Sequence, residues 1–90
     1  MTYKDFSAEE IDAVMQEAWD AFHLYRKFSL KQRAAFMKAI AVELENCGDT
    51  LIQIAMQESN LPEARLLGER GRTIFQLNSY ADACEKGTWL

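Results

Sequence analysis

The sequence predicts an all-α protein of about four helices, arranged as a small helical bundle or an open helical array. Three observations carry this. Apolar residues recur at three-and-four spacing along most of the chain, two Ser-x-x-Glu/Gln capping boxes mark helix starts, and no run before residue 87 reads as a strand. The 90 residues make one helical unit, 1–90.

The first box is Ser7-Ala8-Glu9-Glu10, with Phe6 and Ile11 at staple positions, so a helix starts at Ala8. Ile11, Val14, Met15, Ala18, Phe22 and Tyr25 form its apolar face, which Trp19 widens, and that face calls for burial. The second box, Ser29-Leu30-Lys31-Gln32, restarts the chain in a new direction. Helix two runs from Leu30 to Asn46 and carries Ala34, Met37, Ile40, Ala41 and Leu44.

Gly48 ends that helix as a left-handed cap, and Asp49 is placed to cap a short third helix bearing Leu51, Ile52, Ala55 and Met56. Asn60, which tolerates positive φ, closes the third helix, and Pro62 suits the first turn of a fourth. The fourth helix places Ala64, Leu67, Gly68, Gly71, Ile74, Phe75 and Asn78 on one stripe. Each glycine costs about 1 kcal/mol relative to Ala in a helix, so the stripe predicts a close crossing with another backbone. Arg65 with Glu69, and Glu69 with Arg72, stand at pairing distances along the helix. Gly87 breaks the pattern, and Thr88-Trp89-Leu90 has the composition of a strand start.

A formal net charge of −4 argues against nucleic acid, since only Arg65, Arg70 and Arg72 cluster. No basic-then-apolar leader and no apolar run near the length of a membrane span is present, so the expected setting is cytoplasmic, with no membrane partner. Cys47 and Cys84 lack zinc-ligand spacing and read as small buried hydrophobes in a reducing compartment. His23, the only histidine, reads as a solvated side chain with no Ser or Cys spaced to meet it. Gly68-Glu69-Arg70-Gly71 falls inside a helix, where backbone N–H groups are already spent, so it is no phosphate loop. The three arginines favour salt bridges to Glu63, Glu69 and a partner's carboxylates over an anion site. No residue is assigned a catalytic, coenzyme-binding or metal-binding role. Four short helices cannot hide Phe22, Tyr25, Met37, Ile40, Phe75, Tyr80 and Trp19 from each other, which predicts a homo-oligomer, by default a twofold dimer.

The run Leu61-Pro62-Glu63-Ala64-Arg65, then Gly68-Glu69-Arg70-Gly71-Arg72-Thr73 and Gln76-Leu77, resembles the N-terminal helical region of aldehyde dehydrogenases, nearest the branch that oxidises 2-oxoglutarate semialdehyde. Ala21-Phe22, Tyr25-Arg26-Lys27, Gln32-Arg33-Ala34-Ala35-Phe36, Leu44-Glu45 and Gly87-Thr88-Trp89-Leu90 are similar to the same region, so the likeness covers residues 8 to 90. Where the wider family usually has Glu-Thr-Gly before the proline, this chain has Glu58-Ser59-Asn60, a physically conservative change. The resemblance implies a parent enzyme that oxidises an aldehyde to an acid with NAD or NADP, through a thiohemiacetal and hydride transfer. It implies too that the nucleophilic Cys, the Glu base and the dinucleotide-binding unit lie outside these residues, which makes the chain an inactive fragment binding no cofactor itself. The alternative is a free-standing helical module that binds a partner protein through its apolar faces.

Overall fold

The computed structural model describes residues 3–90, and these form four helices with no strand: α1 Ala8–Tyr25, α2 Leu30–Asn46, α3 Gly48–Ser59 and α4 Glu63–Lys86. Both capping boxes close as the sequence predicts. Ser7 Oγ accepts from the Glu10 N–H at 3.1 Å while Glu10 Oε1 accepts from the Ser7 N–H at 3.3 Å. Ser29 and Gln32 repeat the exchange at 3.1 and 2.8 Å. Each box satisfies two backbone donors that a helix start would otherwise leave unpaired.

The punctuation between helices comes from left-handed residues. Asn60 at φ 60° closes α3, and Gly87 at φ 65° closes α4. Gly48, at φ 58°, turns the chain so sharply that only Cys47 separates α2 from α3. Asp49 therefore lies inside the first turn of α3 and is not its cap; Cys47 holds that position without a side-chain hydrogen bond. Its carboxylate still meets the positive end of the helix dipole. Pro62 sits one residue before α4, in extended conformation, and its carbonyl accepts from the Leu66 N–H at 3.3 Å.

The strand-like end is a turn. The Leu90 N–H donates to the Gly87 carbonyl at 3.1 Å, and Trp89 Nε1 donates to the Ala83 carbonyl at 2.9 Å, folding the indole onto the last turn of α4. A strand needs a neighbour to pair with, and the described residues contain none.

Helices α2 and α4 make the principal interface, and α3 packs on α4. The first two run antiparallel: Cys84 near the end of α4 lies against the Leu30 carbonyl at the start of α2, while Arg70, early in α4, donates to the Gly48 carbonyl just past the end of α2 at 2.8 Å. Ala34 and Ala41 from α2 and Ala81 from α4 are buried between them. Three small side chains let the backbones approach closely. Lys38 and Asp82 form an exposed ion pair at 3.2 Å on the rim, worth at most about 1 kcal/mol. Ile52 of α3 is buried, as is Leu66 of α4, in the second seam.

Residues Leu66, Arg70, Ile74, Leu77, Ala81 and Cys84 thus form the inward face of α4. The stripe expected to be buried is, Ile74 apart, the outward one. Phe75 on it is 70% exposed, and a Cβ added at Gly68 or Gly71 would meet no atom within 4 Å. Within this chain no helix crosses the glycines. The inward series lies one residue away from the expected one, a shift that rotates an α-helix by about 100°. Arg65 pairs with Glu69 at 3.3 Å as expected, whereas Arg72 forms no ion pair with Glu69.

Helix α1 stands apart. No residue of it is buried, so the face read as calling for burial has no cover in its own chain. The radius of gyration is 16.9 Å, against about 12 Å for a compact domain of this length. Among the described residues, its far end is tied to the rest by the preceding segment, where Tyr3 Oη donates to Glu58 Oε1 at 3.0 Å. That hydrogen bond, with the carboxylate's charge, holds the Tyr3 phenol above its ordinary pKa, so the contact is lost as pH rises through the phenol's titration.

Candidate functional site

The joint between α1 and α2 is the most organised surface of the molecule. Arg33, in the first turns of α2, turns back across it: Nε donates to the Phe28 carbonyl at 3.2 Å, and one terminal nitrogen donates to the Tyr25 and Arg26 carbonyls at 3.3 and 3.2 Å. These carbonyls lie at and just past the end of α1; the Tyr25 carbonyl also accepts from the Phe28 N–H at 2.9 Å, and a planar cation with several donors reaches all three together. The same guanidinium lies 4.8 Å from the Tyr25 ring centroid, a cation–π contact. Arg33 therefore fixes the direction in which α1 leaves the α2–α4 core. Sequence reading met Arg33 only as part of a familiar run; the available signal was an arginine four residues after an N-cap serine, within reach of the preceding helix's end.

Aromatic rings gather around this clamp. Tyr25 meets Phe28 at 5.0 Å and Phe36 at 5.8 Å between centroids, and Trp19 meets Phe22 at 6.0 Å. His23 is half-buried, edge-on to Trp19 at 4.5 Å. It is a packing member of the ring cluster and not the solvated side chain expected. Ala21, Phe22, Leu24, Tyr25, Phe28 and Phe36 line an open depression of about 650 Å³ with almost no polar surface. Such a surface can bind apolar groups but offers no acid, base or nucleophile to a reaction.

The other residues considered stay apart from it. Cys47 is exposed at the α2–α3 junction and Cys84 is half-buried, its thiol 3.6 Å from the Leu30 carbonyl, so neither is the fully buried small hydrophobe expected. The arginines do not converge on a common point: Arg65 binds Glu69 and Arg70 binds the Gly48 carbonyl, not a carboxylate. Among the described residues no group of three His, Cys, Asp or Glu is placed to hold a metal ion. Gly68-Glu69-Arg70-Gly71 lies inside α4, so its backbone N–H groups are spent on the helix and are not free to wrap a phosphate. No helix among the described residues is long and apolar enough to cross a membrane.

Against this geometry, the profile of the aldehyde dehydrogenase family matches residues 1–89. The chain belongs to the aldehyde dehydrogenase family. Alpha-ketoglutaric semialdehyde dehydrogenase 2 of Azospirillum brasilense is 46% identical over 81 residues, which is 90% of this chain and 15% of that protein. Alpha-ketoglutaric semialdehyde dehydrogenase of Acinetobacter baylyi is 38% identical over 85 residues, 94% of this chain and 16% of the relative. This aldehyde dehydrogenase chain thus spans about 15% of the length of the curated relatives it matches. No solved structure matches it.

Proposed function

We propose that the chain is a helical part, inactive alone, of an NAD- or NADP-dependent aldehyde dehydrogenase that oxidises a semialdehyde such as 2-oxoglutarate semialdehyde to the acid. The observation that carries this reading is the family match across residues 1–89 by a chain spanning about 15% of its semialdehyde dehydrogenase relatives. The uncovered apolar faces of α1 and α4 support it, because helices that serve a larger subunit leave such faces open when taken alone. In this reading the chain works in the cytoplasm. Left to itself it associates with a second copy, since apolar area of this extent on a small protein finds a partner.

The test is direct. Purified chain mixed with NAD or NADP and 2-oxoglutarate semialdehyde is expected to form no reduced coenzyme, and titration with coenzyme should leave Trp19 and Trp89 fluorescence unchanged apart from inner-filter loss. Reduced coenzyme that scales with the chain, or a saturable fluorescence change at micromolar coenzyme, would overturn the reading.

A further inference from the structure

We draw no further inference here: the strongest candidate, the open apolar depression at the α1–α2 joint lined by Phe22, Tyr25, Phe28 and Phe36, is an unpartnered face and nothing in the structure shows what covers it.

Discussion

Replacing Ile52 with Ala is expected to destabilise the chain by about 2 to 5 kcal/mol, the largest effect of any single truncation. Ile52 is 3% exposed, and no other residue of α3 is buried. It shares a crevice with Leu44, Leu51, Ala55 and Leu66. Removing its three outer carbons leaves a void that the α3–α4 hairpin cannot close without moving Leu66, because Arg70 anchors α4 to the Gly48 carbonyl. Among the described residues only Ala34, Ala41, Ile52, Leu66 and Ala81 are buried, so the total stability sits near the low end of about 0.05 kcal/mol per residue. The truncation removes a large share of it. Urea titration followed by circular dichroism checks this: the midpoint should fall steeply, and an unchanged midpoint would mean that α3 contributes nothing to the cooperative unit.

The second large effect pairs two substitutions of opposite sign on the same helix. Ala81 is 0% exposed in the α2–α4 seam, opposite a helix held close by Ala34 and Ala41. Ala81→Leu should push the helices apart and cost about 1 to 3 kcal/mol, although Leu is a good helix former. Gly71→Ala, three turns earlier, adds a methyl into open space at a helical position. It should therefore stabilise the isolated chain by up to about 1 kcal/mol. Thermal melts of the two variants are expected to move to opposite sides of the parent. A drop for Gly71→Ala would place a backbone over α4 that the open space does not allow for.

Much of the fold was legible because its signals are local. Capping boxes at Ser7 and Ser29 and left-handed residues at Gly48 and Asn60 depend on a few neighbouring residues, and each formed where the sequence predicted it. The inward face of α2, apart from Ile40, which is exposed, and that of α3 followed from periodicity as well. What failed was the face of α4. Its outward stripe, Leu67, Gly68, Gly71 and Phe75, is apolar, as its inward one is, and periodicity finds stripes without knowing how many partners a helix has. In a helix that serves a larger subunit both stripes carry a pattern, and this chain alone uses one. The same reason explains α1, whose apolar face was expected to be buried and has nothing beneath it. Arg33 was missed because its role is to satisfy carbonyls of another helix, a tertiary duty that leaves no periodic trace.

The central claim is that α2, α3 and α4 close a small core of their own while α1 projects from it awaiting cover. Helix-resolved amide hydrogen exchange, recorded at a concentration where the chain is monomeric, tests that claim most directly. An 18-residue helix without a packed face is marginal in water, so the amides of α1 should exchange nearly as fast as an unstructured peptide, while those around Ala34, Ala41 and Ala81 exchange slowest. Protection of α1 equal to that of α2 and α4 in the monomer would contradict the account.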